Sequence, residues 1–186
     1  MKLAAIVGSI RQNSYNLFLA KTMQERYSDR FTLEILDIRS LPYYNPDEEN
    51  NPNEAVNIFK KKVKEADGLI IITPEYNWSI PGVLKNALDW LSRGEKEING
   101  KPVLTAGVST GFLGTIRAQL HLREILVSLG MQAKLLPPAG NEILINNAKQ
   151  KFDEKTGKLI DEATLQFLDG VVEKFIRFVQ ENKQAN

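Results

Sequence analysis

The chain has 186 residues, 42% of them hydrophobic and only 8 of them proline, which suits one folded domain over 1–186 and excludes a disordered chain. A net charge of +1 sets up no broad field toward nucleic acid or an anionic membrane, and the absence of cysteine removes disulfides, thiolate metal sites and cysteine nucleophiles together. No apolar run approaches the roughly 20 residues that span a bilayer, and Met1–Gly8 reads as a strand and not a signal, so a soluble, cytoplasmic protein is expected.

Residues 3–7 are a short continuous apolar run, as in a strand covered on both faces. Gly8 to Asn16 then leads into a helix with Leu19, Ala20, Met23 and Tyr27 on one side. Thr32 to Ile38 alternates apolar and polar and predicts an edge strand. Leu41 to Asn53, rich in Pro, Asn and Asp, reads as a long loop. A helix from about Glu54 buries Val56, Phe59 and Val63 and returns the chain to a strand at Gly68–Thr73. The next segment, Pro74 to Ile80, is a tight loop. It feeds a helix in which Leu84, Ala87, Leu88 and Leu91 repeat at i, i+3, i+4 and i+7. Ser79 and Pro81 stand where a capping hydroxyl and an early-turn proline belong, and Arg93-Gly94 closes the element. After the polar turn Gly94–Lys101 comes a buried strand, Val103–Val108, then the small residues Ser109 to Gly114 and a helix carrying Leu122, Ile125, Leu126 and Leu129. Gln132–Leu136 predicts the last strand, at the second edge. Asn146–Lys158 reads as a polar, mobile loop, and the final helix carries Leu168, Val171, Val172, Phe175 and Val179.

Five strands alternating with five helices imply an α/β three-layer sandwich around a parallel sheet. With edge strands second and fifth, the order 2-1-3-4-5 of the flavodoxin-like fold follows. In that order the turns after strands one, three and four converge on one crevice at the carboxyl end of the sheet. The first turn offers Ser9, Arg11, Ser14 and Asn16 beside a helix start, whose free N–H groups and positive dipole end attract a phosphate. The plainer alternative has Ser14 capping the helix and the rest solvated. Only Gly8 stands where a dinucleotide fingerprint needs three glycines, and no Gly-Lys-Ser/Thr follows as in a P-loop. The lone His121 lies mid-helix, Glu75 presents its backbone more readily than it acts as an acid, and Asp37, Asp47, Glu48 and Glu49 read as solvated loop charges, not metal ligands. Val83 and Trp90 make the central helix apolar on a second face, which another subunit would cover; a neighbouring loop over Trp90 is the alternative.

Gly8-Ser9-Ile10-Arg11-Gln12-Asn13-Ser14-Tyr15-Asn16 and Pro74-Glu75-Tyr76-Asn77-Trp78-Ser79-Ile80-Pro81-Gly82-Val83-Leu84-Lys85-Asn86-Ala87-Leu88-Asp89-Trp90 closely resemble the two signatures of NAD(P)H-dependent FMN reductases, a family that includes quinone, azo-dye and chromate reductases. The resemblance implies FMN as cofactor, NADPH or NADH as hydride donor, a small-molecule electron acceptor, and a homodimer or homotetramer. It puts the FMN phosphate at Ser9, Arg11, Ser14 and Asn16, and the isoalloxazine ring beside Pro74, Glu75, Tyr76 and Asn77, with Ser109, Gly111 and Gly114 as the third ring-side loop. The family often reads Gly-Gly before an Arg-Ala pair, where this chain has Gly114-Thr115-Ile116-Arg117-Ala118. A flavodoxin-type electron carrier is the alternative, though such carriers are acidic and use a Thr/Ser-Gly-Thr phosphate loop. A receiver domain would need an aspartate where Thr73-Pro74 ends the third strand.

Overall fold

Four strands form where the apolar runs predict them: β1 (Lys2–Val7), β2 (Thr32–Leu36), β3 (Gly68–Ile72) and β4 (Pro102–Val108). The structure is a computed structural model that describes residues 1–184. All strand pairings are parallel, in the order β2-β1-β3-β4-β5 with β5 at Lys134–Leu135, and Ala5 stands opposite Ile35 on one side and Ile70 on the other. The helices are α1 (Tyr15–Arg26), α2 (Glu54–Glu65), α3 (Gly82–Leu91), α4 (Ile116–Val127), α5 (Ala148–Lys151) and α6 (Glu162–Gln184).

Strand period two divides the core into two layers. Leu3, Ala5, Ile70 and Ile72 pack with Leu19 and Met23 of α1 and with Leu168, Val172 and Phe175 of α6. Ala4, Ile6, Leu69 and Ile71 pack with Val56 and Phe59 of α2, Leu84 and Leu88 of α3, and Leu122 and Leu126 of α4. Each fully buried Leu or Ile contributes about 1.5–3 kcal/mol, so both faces of the sheet gain stability from the helices that cover them.

Two expectations change at the far edge. The segment Gln132–Leu136 holds only a two-residue strand, β5 (Lys134–Leu135), because Pro137 and Pro138 follow and cannot donate to a ladder. Past them the chain returns as β6 (Ile143–Ile145), which pairs with the upper end of β4 through Ala106–Val108. The fifth strand is thus split in two. Nor is 146–158 merely a polar loop: α5 lies within it, Ala148, Phe152 and Leu159 are buried, and Phe152 bridges Leu159.

The second apolar face of α3 is covered from within the chain. Trp90 is buried, its indole N–H donates to the Pro42 carbonyl at 2.9 Å, and Tyr44 meets it edge-on. Asn86 donates to the same carbonyl and accepts from the Tyr44 N–H. Trp90 therefore gives no argument for a second subunit; the loop after β2 takes that place.

Candidate functional site

The turns after β1, β3 and β4 meet around a cavity of about 170 Å³ at the carboxyl end of the sheet. It is lined by Ser9, Arg11, Ser14, Tyr15 and Asn16 from the first turn, Pro74, Glu75 and Tyr76 from the second, and Val108, Ser109 and Thr110 from the third. Eight of the expected residues are thereby brought together. Asn77, Gly111 and Gly114 follow in the same turns but do not line the cavity. Thr110, one of the small residues of the third turn, lines it as well, whereas Tyr15 and Val108 were not expected there and their only signal was adjacency to Ser14 and Ser109.

Local chemistry explains how each turn is aimed. Gly8 N–H donates to the Ile72 carbonyl at 2.8 Å, and a Cβ on Gly8 would stand 2.9 Å from Leu84, so the chain passes close over β3. Ser14 occupies the N-cap of α1 but makes no side-chain cap bond, and its side chain is buried. The first turn of α1 holds no acidic residue. Its positive end and early N–H groups are left to whatever enters the cavity. Arg11, at the same mouth, forms no ion pair or hydrogen bond among the described residues.

Asn16 has another task than ligand binding. Its carboxamide donates to the Val108 carbonyl at 3.0 Å and accepts from the Val108 N–H at 2.9 Å, pinning the start of α1 to the end of β4. That bond sets the spacing of the first and third turns. Tyr15 donates its hydroxyl to Glu154 at 2.6 Å. This bond and burial push the phenol above its ordinary range, so Tyr15 stays neutral and offers the cavity its ring.

Glu75 is likewise a structural anion. Its Oε2 accepts from the N–H groups of Arg117 and Ala118, at 2.9 and 3.1 Å, and so caps α4 from a turn far away in sequence. Thr115, at the N-cap of α4, sits at φ 70 and provides no cap. Tyr76 and Ser79 bond to each other in both directions at 3.0 Å around Asn77 (φ 51) and Trp78 (φ 66). That is a two-residue turn of the type I′ class, in which both central residues need positive φ. A tryptophan held there is strained. It is also exposed, with the Arg117 guanidinium stacked on it at 4.3 Å. Ser79, expected to cap α3, instead shares a 3.1 Å hydrogen bond with His121 Nδ1, and Pro81 holds the N-cap. His121 is thus tied to the outside of the second turn.

In the third turn, the Ser109 N–H donates to the Ile145 carbonyl and its hydroxyl to the Gly111 carbonyl. The N–H groups of Thr110 and Gly111 make no such bond among the described residues. Gly114, at φ 60, packs against Leu144, where a Cβ would stand 2.9 Å from its backbone, so this glycine serves the turn. Gly107 allows the turns after β3 and β4 to approach: a Cβ there would fall 2.5 Å from the Thr73 carbonyl oxygen. No group of His, Asp or Glu among the described residues could hold a metal ion.

The polar groups left for a ligand are donors: Arg11, the serine hydroxyls and the α1 N–H groups. The two acids nearby, Glu75 and Glu154, are engaged with α4 and Tyr15. Such a set fits a phosphate monoester, and the Tyr76 ring beside it fits the edge of a flat ring system, so the residues present suit FMN.

Comparison with known proteins agrees. The family model described as NADPH-dependent FMN reductase matches residues 1–140. The chain is 42% identical to the NADH-dependent flavin reductase subunit 2 of Lactobacillus johnsonii, covering 97% of this chain and 98% of that one. It is 37% identical to a quinone reductase of Escherichia coli, covering 98% and 97%. Among solved structures it superposes on the flavoenzyme NAD(P)H:(acceptor) oxidoreductase FerB of Paracoccus denitrificans with a TM-score of 0.87, 32% identity and coverage of 97% and 98%.

Proposed function

The chain belongs to the NADPH-dependent FMN reductase family, and from that premise we propose that it is an FMN-dependent oxidoreductase carrying reducing equivalents from NADPH or NADH to small-molecule acceptors. Quinones and free flavins are the acceptor class that its relatives' names favour, with azo compounds and metal oxyanions as further acceptors of an open flavin face. The observation that carries the reading is the cavity at the uncapped start of α1, where Arg11, the serine hydroxyls and free N–H groups gather.

Bound FMN supplies the redox chemistry, accepting hydride and passing electrons on, which is why the chain needs no nucleophile or general base of its own. The protein's part is positioning and electrostatics. Arg11, with Ser9, Ser14 and the α1 N–H groups, holds the phosphate. Asn16 keeps the first and third turns at a fixed separation. Pro74 and Tyr76 would border the ring, and the Thr110 N–H, unbonded among the described residues, would stabilise negative charge there as an oriented dipole. Trp78, held out by its strained turn, shapes the open face with Tyr76.

The same reading puts the protein in the cytoplasm; no helix among the described residues is long and apolar enough to cross a membrane. It also makes the protein a homodimer or homotetramer. Support comes from Leu120 and Val127, seven residues apart on α4 and both exposed, and from the exposed Phe112 and Leu113 in the turn before that helix. Sedimentation at micromolar concentration showing monomer alone would remove that part.

The test is the absorption spectrum of the purified protein, followed by anaerobic titration with NADPH and NADH. Bound flavin that bleaches supports the reductase. Flavin that stays oxidised points to an electron carrier, and a protein that takes up no flavin overturns both. Arg11→Ala should weaken FMN binding by about 1–3 kcal/mol in a fluorescence titration; unchanged affinity removes Arg11 from the phosphate site.

A further inference from the structure

The turn after β3 carries a pair of side chains that the phosphate site leaves unused. Tyr76 lines the cavity, and two residues on, Trp78 stands with 67% of its surface exposed. Its φ of 66 is a conformation that glycine takes without strain and tryptophan does not. The paired Tyr76–Ser79 bonds and the hydrogen bond shared by Ser79 and His121 hold the turn in that shape. A large ring kept at a strained position and facing solvent adds nothing to the core. Strain of this kind persists where the placement of the side chain matters to a ligand.

Arg117 gives that ring a charge. Its guanidinium lies 4.3 Å from the ring centroid, and its side chain forms no hydrogen bond or ion pair among the described residues. The nearby carboxylate of Glu75 is already spent, because its Oε2 accepts from the main-chain N–H groups of Arg117 and Ala118. A guanidinium over a ring face keeps the N–H groups at its edge available, and these form a fork that fits a carboxylate or a sulfonate. Trp78 thus supplies a flat apolar surface, and Arg117 an unpaired cation against it. The small molecule that uses both is a planar aromatic anion.

We propose that Arg117, seated on Trp78, selects among electron acceptors: the protein favours flat aromatic acceptors that bear a fixed sulfonate or carboxylate over neutral acceptors with the same ring. The proposal rests on the reductase reading, which brings an acceptor to this rim. Arg117 is a specificity residue in this account. It holds the anionic substituent while the acceptor, a quinone for example, takes two electrons and two protons from reduced flavin and solvent and leaves as the hydroquinone.

Two acceptors that differ in that substituent test it, 1,4-naphthoquinone-2-sulfonate and 1,4-naphthoquinone. With the bound flavin reduced photochemically under anaerobic conditions, stopped-flow mixing gives a reoxidation rate constant for each, and the ratio of the two is the readout. Arg117→Met should lower that ratio at least about tenfold, the loss of one charge-assisted contact. Arg117→Lys, which keeps the charge without the fork, should fall between. In the wild type the ratio should shrink as ionic strength rises from about 0.02 to about 0.5 M, because salt screens a pair open to solvent. A second readout needs no flavin. Of the two tryptophans Trp90 is buried and Trp78 exposed, so quenching of tryptophan emission by each quinone reports occupancy at Trp78. Arg117→Met should weaken the sulfonate about tenfold relative to the neutral quinone. A ratio unchanged in Arg117→Met, or both acceptors slowed alike, overturns the proposal. A variant whose only defect is in flavin reduction by NADPH or NADH overturns it too, since Arg117 would then serve the donor. Flavin that neither nucleotide reduces counts against the reductase reading, while photoreduced flavin and the emission titration still decide Arg117.

Discussion

Helices α1 and α4 start at the same rim of the sheet and solve the same electrostatic problem in opposite ways. Each presents unpaired N–H groups and a positive dipole end. At α4 a carboxylate of the protein, Glu75, reaches in and accepts two of those N–H groups. At α1 nothing does: Ser14 makes no cap bond, no acid stands in the first turn, and Arg11 adds a further positive charge. One helix end is neutralised from within, so the other is the place where an external anion is stabilised. The proposed phosphate site is defined as much by the acid that is missing as by the donors that are present.

The sharpest way to break this contrast is to give α1 what α4 has. Ser14→Asp places a carboxylate at the N-cap, where a phosphate is to bind. A pair of unit charges about 4 Å apart at an effective dielectric of about 20 is worth about 4 kcal/mol, so FMN affinity should fall by at least about a hundredfold. The flavin-free protein should be stabilised by about 0.3–1 kcal/mol, since an acid suits a helix N-terminus. The two readouts move in opposite directions, which a generally damaged fold cannot mimic. Unchanged FMN affinity in a fluorescence titration would remove α1 as the phosphate site.

The converse experiment uncovers α4. Glu75→Ala leaves the Arg117 and Ala118 N–H groups without their acceptor and should cost about 0.5–2 kcal/mol, the range for a lost cap. Urea unfolding of the flavin-free protein measures this without interference from the cavity that Glu75 also lines. Glu75→Gln, which keeps an oxygen acceptor but not the charge, should fall between. A midpoint unchanged in Glu75→Ala would mean that solvent caps α4 as well as Glu75 does.

The contrast also explains what could be read from the sequence. Strand order and the meeting of three turns follow from apolar runs and their alternation with helices, which are local signals. Arg11 and Ser14 were legible as cavity-lining residues because they sit within the turn that lines it. Glu75 was legible as a site residue but not as a cap, because its partners lie 42 and 43 residues on. Asn16 and Val108, 92 residues apart, hide their bond in the same way. The short run Ile143–Ile145 did carry a strand signal, but its three residues fell below the length that periodicity can assign. In the polar stretch after it, Phe152 and Leu159 are the two apolar anchors, and composition averaged over the segment conceals them. Thr115 is instructive from the other side. At φ 70 it occupies backbone space where glycine is unstrained, which gives a physical reason for the Gly-Gly the family often has there.

A third helix start makes the smallest and most local test. Asp161, just before α6, accepts from the N–H of Thr164 at 2.9 Å and from its hydroxyl, a pairing visible in sequence as an acid three residues ahead of its partner. The Thr164 hydroxyl, then its N–H, hold the Asp161 carboxyl below the ordinary aspartate value of 3.8. A folded-state value below the unfolded one means that the carboxylate contributes stability above pH 3.8 and loses it as pH falls through the lower, folded value. Asp161→Asn keeps a capping oxygen but cannot titrate. The stability gap between wild type and this variant should therefore be present at neutral pH and close under acid, as pH falls through the lowered folded value. Because the site is largely solvated, the gap should be smaller than that of Glu75→Ala. A gap of constant size across the acid range would show that geometry, and not charge, is what a helix start in this protein requires. The case for α1 as an anion site would then rest on Arg11 alone.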